Sequence, residues 1–231
     1  MVSSLDFSVI LTAWPYLLQG FWFTVQITLV GFIGGILFGS LLAVARLSPN
    51  RVISALAIGY VTIIRSLPLI LVIFWVFFLV PWVIGWITGS GRPVPVGASM
   101  TVFTTFVLFE AAYFSEIVRS GLRSISPGQF SAAEALGFSK FQSYAYIIFP
   151  QAMRNVLPIL ITQTIILFQD TSLVYVISAT DLLGAATKIA QRDFRLVEMY
   201  LTVGAIYFVF CFAASQFVKI LQGRLTYGVR P

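Results

Sequence analysis

Along this chain long apolar stretches alternate with short polar ones. No charged residue falls between Asp6 and Arg46, between Arg65 and Arg92, or between Glu198 and Lys219. Each interval is long enough for the ~20 apolar residues that a helix needs to cross a bilayer. The pattern predicts an all-α integral membrane protein with five transmembrane helices, over about Leu17–Ala45, Ile53–Ile87, Ala98–Ser120, Asn155–Ile177 and Met199–Leu221, in a single domain over residues 1–231. An odd number of spans puts the two termini on opposite sides of the membrane. In the first span Gly31, Gly35, Gly39 and Ala43 recur every fourth residue, so small side chains share one stripe and let another helix approach closely.

The stretch from Ser131 to Ala152 is too polar to cross. Around it, Ser126-Pro127-Gly128-Gln129 combines a serine N-cap, proline at the first helical position and glutamine at the third. Gly137 suits the left-handed residue that ends such a helix. Ser139-Lys140-Phe141-Gln142 repeats the same start, and Pro150 predicts a stop near Phe149. The result is a helix–glycine–helix insert over about 126–150. Its apolar residues, Phe130, Ala133, Leu136, Phe138, Phe141, Tyr144 and Ile147, suit docking onto another protein or lying flat on lipid. Helix chemistry does not separate these two readings.

Composition narrows the classes. The chain is 59% hydrophobic and 10% charged with a mean hydropathy of +0.97, against about 25% charged residues in soluble domains. One cysteine, Cys211, and no histidine exclude a disulfide framework within the chain and leave no expected metal site. The N-terminus lacks a basic region and a cleavage site, so the first span is expected to remain in the mature protein. The net charge of +6 reads as basic loops beside a membrane, with no nucleic acid as partner. Arg46, Arg51, Arg119, Arg123, Lys140, Arg154, Lys219, Arg224 and Arg230 fall on one face, and Arg92, Lys188, Arg192 and Arg195 on the other. The richer face is therefore expected in the cytoplasm, with the insert and the C-terminus, and the N-terminus outside.

Two charges stand within predicted spans. Arg65 lies fourteen residues beyond Arg51, roughly 21 Å along a continuous helix, and Pro68 just beyond it kinks or breaks that helix. Asp170 sits in Gln169-Asp170-Thr171-Ser172, with Gln163 seven residues earlier. The two charges either pair or cap broken helices, or they serve a substrate path. For Arg65 the functional form is specific, since a guanidinium holds a carboxylate in bidentate fashion. Glu116 and Arg119 are helix neighbours and read as a structural ion pair near the cytoplasmic end of the third span. The segment Ser178–Glu198 alternates charge and predicts short helices on the outer surface or a plain solvated loop.

Several segments carry a resemblance. Ser131-Ala132-Ala133, Gly137, Ile147 and Phe149-Pro150 have the spacing of the cytoplasmic-loop motif of membrane-spanning subunits of bacterial ABC importers, with serine for the usual first glutamate, phenylalanine for leucine, and Glu134 three residues on. RSLPL (Arg65–Leu69), EAAYFSEIVRSGLRSISPGQ (Glu110–Gln129) and FQDTSLVYV (Phe168–Val176) extend the likeness over most of the chain. The chain thus resembles type I importer permeases of the polar amino acid branch, nearest to the glutamate and aspartate group. The resemblance implies that Ser131, Ala132, Ala133, Glu134, Gly137, Phe138, Ile147 and Pro150 fit a groove on a cytoplasmic ATPase. It also implies that the Gln169–Ser172 run, with Gln163 before it as a candidate path residue, either shares the substrate path or its gate or maintains the fold. Partners implied are an ATPase dimer carrying ATP and magnesium, a second permease copy or paralogue, an extracytoplasmic amino acid binding protein and membrane lipid. No G-x-x-x-x-G-K-[ST] phosphate loop or nucleophile motif occurs, so the chain itself reads as no enzyme. The competing reading is an ion-coupled secondary transporter or channel with Asp170 as its proton or sodium site, although no internal repeat supports it.

Overall fold

The computed structural model describes residues 5–226, and their side chains as far as residue 223. Of the basic residues sorted above, Arg230 lies outside the described residues, as does the side chain of Arg224. The chain folds as α1 (Ser8–Arg46), α2 (Arg51–Arg65), α3 (Leu69–Ile87), α4 (Ala98–Arg123), α5 (Pro127–Ala135), α6 (Lys140–Gln142), α7 (Phe149–Asp170), α8 (Leu182–Asp193) and α9 (Leu196–Thr226). A π-helical stretch, Ser143–Ile148, leads into α7, and a 3-10 stretch, Thr171–Ile177, follows it. Among the described residues five helical segments are long and apolar enough to cross a membrane: Ser8–Arg46, Leu69–Ile87, Ala98–Arg123, Lys140–Ile177 and Leu196–Gly223.

α1 is the axis of the bundle. Its 39 residues run roughly 58 Å at ~1.5 Å per residue, starting well before the predicted Leu17. Gly20, Thr24, Ile27, Gly31, Gly35, Gly39 and Ala43 form its buried line. A Cβ on Gly35 would lie 2.8 Å from Glu110 Cβ, and one on Gly39 would lie 2.8 Å from the Ala111 carbonyl oxygen of α4. The glycine stripe therefore sets how closely α1 and α4 pack. Higher up, Gly20 leaves room for the Asp181 carbonyl and the Ala185 side chain, so the same line seats α8. Ile27, Ile73, Val102, Phe106, Leu167 and Val174 close the main core among α1, α3, α4 and α7.

Three predictions need correction. The second span is not one helix over Ile53–Ile87: α2 ends at Arg65, and Pro68 stands extended (φ −62°, ψ 135°) ahead of α3. Proline offers no amide to continue α2 and holds the preceding residue away from helical geometry, so only Leu69–Ile87 is a span. Helix does not stop near Phe149 either. The wider π turns of Ser143–Ile148 precede Pro150, which becomes an early residue of α7, where its missing N–H costs little. Finally, the segment Ser178–Glu198 is not a set of surface helices. It holds α8, whose Leu182, Ala185, Ala186 and Ile189 are buried against α1 and α9, and the first residues of α9 itself.

Candidate functional site

The polar residues of the bundle gather along α4, where it faces the ends of α1 and α2 and the length of α7. Glu116 is the hub. Arg46, in the last turn of α1, donates from Nη1 to Glu116 Oε2 at 2.7 Å. Arg119, one turn along α4, bonds both carboxylate oxygens, with Nε 3.3 Å from Oε2 and Nη2 on Oε1. The Arg65 guanidinium stands at the end of α2 with Nη1 3.9 Å from Glu116 Oε2, a Coulombic contact beyond hydrogen-bond range. Its Cζ lies 5.5 Å from the centre of the Tyr113 ring, within cation–π distance. Three arginines thus share one carboxylate. The Arg46 and Arg119 side chains are 12% and 19% exposed and Arg65 is 43% exposed, so Arg65 is the loosely held and most accessible of the three.

This geometry moves Arg65. Counting along an unbroken helix from Arg51 places it deep in the membrane, whereas α2 ends at this residue and its guanidinium meets Glu116. Glu116 lies seven residues before Arg123, the end of α4, or roughly 10 Å. Arg65 therefore sits toward the basic end of the bundle. Among the described residues it forms no ion pair with Asp170.

A second polar contact lies farther along α4. Glu110 is fully buried beneath Gly35, and Gln163 of α7 donates from Nε2 to its Oε2 at 3.0 Å. Its other oxygen, Oε1, is buried without a hydrogen-bond partner among the described residues. Asp170, seven residues beyond Gln163 and so on nearly the same side of α7, ends that helix without capping the 3-10 stretch. It is half-buried, Gln169 is exposed, Ser172 is half-buried, and Thr171 is buried with its hydroxyl donating to the Phe168 carbonyl at 2.7 Å. Tyr113 lies within electrostatic range of Arg65, Glu110 and Asp170 together. Sequence reasoning missed the roles of Arg46, Tyr113 and Glu110. A signal for Arg46 was present, since it falls three residues after Ala43 and continues the packing line of α1.

The insert is a tight elbow. Ser126 caps α5 by accepting from the Gly128 amide at 3.3 Å, while Gln129, rather than closing a capping box, accepts from Gln151 Nε2 at 3.2 Å. Gly137 adopts φ +80°. Its amide donates to Glu134 and that of Phe138 donates to Ala133, at 3.0 and 3.1 Å, the paired closure of a Schellman ending. Ser139 and Gln142 form a reciprocal capping box at the next start. Ala133 is buried and Phe138 and Ile147 are half-buried, whereas Ser131, Ala132, Glu134 and Pro150 are exposed. Ile125, Ile148 and Ala152 make a small core with Phe130 and Ile147, and Phe130 meets Tyr144 edge-on at 5.5 Å. Leu136 at 75% and Phe141 at 78% exposure remain uncovered. The elbow is thus fastened to α4 and α7 while presenting an apolar tip.

On the opposite flank Asp181 caps α8, accepting from the amides of Gly184 at 2.9 Å and Leu183 at 3.1 Å. Arg195 bridges Asp6 and Glu198, at 3.7 and 3.1 Å, and the Asp6 amide donates to Glu198 at 3.1 Å. The start of α1 is thereby tied to the start of α9.

Comparison with known proteins places this architecture. Residues 35–227 match the family described as binding-protein-dependent transport system inner membrane component. The glutamate/aspartate import permease protein GltK of Escherichia coli O6:H1 is 44% identical over 219 residues, covering 95% of this chain and 97% of its own length. The glutamine transport system permease protein GlnP of Escherichia coli K12 is 30% identical, covering 95% and 97%. A crystal structure of an amino acid ABC transporter with histidines superposes with a TM-score of 0.84 at 27% identity, covering 96% of this chain and 99% of that one. The inward-facing methionine transporter MetNI, at 18% identity and a TM-score of 0.66, shares the fold. Five spans, an elbow joining the third to the fourth, and these matches lead to one assignment: the chain is a multi-pass bacterial inner-membrane protein that belongs to the family of binding-protein-dependent transport system inner membrane components, the membrane-spanning and non-ATPase subunits of ABC importers.

Proposed function

We propose that this subunit imports acidic amino acids, with Arg65 receiving a substrate carboxylate and the elbow around Gly137 taking up the motion of a cytoplasmic ATPase dimer. The observation that carries this reading is the Arg65 guanidinium. It is the end residue of α2 beside a proline break, and it is 43% exposed with no hydrogen-bonded carboxylate of its own among the described residues. Five donors in a planar fork suit a bidentate carboxylate. The substrate class follows the likeness to a permease named for glutamate and aspartate. Gln163, Gln169, Asp170, Thr171 and Ser172 line α7 and its 3-10 extension, where a change of helix type offers a gate. A second copy or paralogue completes the path, and an extracytoplasmic binding protein delivers substrate to the side where α1 begins. ATP and magnesium belong to the ATPase. The N-terminus then lies outside and the C-terminus in the cytoplasm. An ion-coupled transporter with Asp170 as its cation site is not favoured, because the family it matches works with a binding protein and an ATPase.

The test is equilibrium binding of L-glutamate to the full chain in nanodiscs with its ATPase, with the binding protein left out because its own affinity would mask the membrane site. Arg65→Ala should raise Kd about tenfold or more, the loss of a charge-assisted contact. An unchanged Kd returns Arg65 to a structural role.

A further inference from the structure

Three arginines surround Glu116, more positive charge than one carboxylate can neutralise, and they hold it unequally. Arg46 and Arg119 hydrogen-bond it and are mostly buried; Arg65 touches it only at 3.9 Å and stays open to the polar face. A carboxylate offers about four lone-pair sites. Those nearest Arg65 are on Oε2, which already accepts from Arg46 Nη1 and Arg119 Nε. The two buried arginines therefore keep Glu116 from closing on Arg65. The second feature is the break at Ser66–Pro68, which leaves Arg65 on a helix end free of the constraint of α3.

We propose that Glu116 is a built-in competitor of the substrate for Arg65, held at arm's length by Arg46 and Arg119, so that this trio sets how tightly the carboxylate of an acidic amino acid is bound. The proposal rests on the reading of Arg65 given above. In the empty protein Glu116 keeps the guanidinium oriented beside Tyr113. An arriving carboxylate displaces Glu116 from the Arg65 guanidinium, and the weakness of the resident contact lets the exchange proceed in both directions. Glu116 is a positioning residue here: it acts through Arg65 and does not itself touch substrate.

The competition predicts effects of opposite sign, which a purely structural cluster would not give. In the nanodisc assay with L-glutamate, Glu116→Gln should lower Kd by roughly two- to fivefold, the range of a partly exposed ion pair. Arg119→Gln should raise Kd by a similar factor, because it frees Glu116 to swing onto Arg65. In an Arg65→Ala background neither change should move Kd. If Glu116→Gln fails to fold because Arg46 and Arg119 lose their shared partner, Arg119→Gln decides the question, since it keeps the Arg46 contact. Both variants shifting Kd in the same direction, or neither shifting it while Arg65→Ala still weakens binding, overturns the competition and leaves the role of Arg65 intact. A Kd that does not respond to Arg65→Ala removes the reading beneath it as well.

Discussion

Asp181 is fully buried where α1, α8 and α9 meet, and its backbone is gripped as well: its carbonyl faces Gly20, and the next amide, that of Leu182, donates to Thr24 Oγ1 at 3.1 Å. Burial pushes its carboxyl up to about 6, although the amides of Gly184 and Leu183 favour the charged form and oppose the rise. An unfolded aspartate titrates near 3.9. The folded state thus binds this proton more tightly, and the contribution of Asp181 to stability falls as pH rises from about 4 to about 6 and is level above. The amount is at most about 3 kcal/mol. Asp181→Asn keeps a cap acceptor and loses the titration. Melting followed by size-exclusion fluorescence should show the variant gaining on the parent protein between pH 4 and pH 6, whereas a constant difference across that window would assign the carboxyl no role in the pH dependence.

The parts assigned work in the proposed mechanism are places where regular helix gives way. The Ser66–Pro68 break frees Arg65, the π stretch carries the chain through Pro150 into α7, and the Schellman ending at Gly137 turns the elbow. Nothing lies within 4 Å of a Cβ built on Gly137, so a side chain there meets open space and acts only through the backbone. A left-handed conformation costs a β-branched residue roughly 1–2 kcal/mol, while asparagine tolerates it. Gly137→Val should therefore loosen the elbow and weaken substrate stimulation of ATP hydrolysis with the bundle still folded, and Gly137→Asn should retain most of it. Undiminished stimulation in the valine variant would separate the elbow geometry from coupling.

The whole molecule was legible in the sequence to the extent that its signals are local. Apolar length gave five spans, cap chemistry gave the start of α5, the turn at Gly137 and the second start at Ser139, and the stripe from Gly31 to Ala43 runs along the face of α1 that meets α4. Tertiary choices were not legible. Arg65 looked deep because residue counting assumes a straight helix, and the union of Arg46, Arg65 and Arg119 on Glu116 depends on where three helix ends converge. The burial of one face of α8 was hidden because small residues, Gly184, Ala185 and Ala186, separate its strongly apolar Leu182 and Ile189.

In the orientation proposed above, the elbow around Gly137 lies in the cytoplasm and meets a motor on another polypeptide. The most direct test is labelling of Ser131→Cys, at an exposed elbow position, by a membrane-impermeant maleimide in a chain whose Cys211 is replaced by serine. Labelling is expected in inside-out vesicles, reduced when the ATPase is bound, and none is expected in intact spheroplasts. Labelling of intact spheroplasts would contradict that orientation.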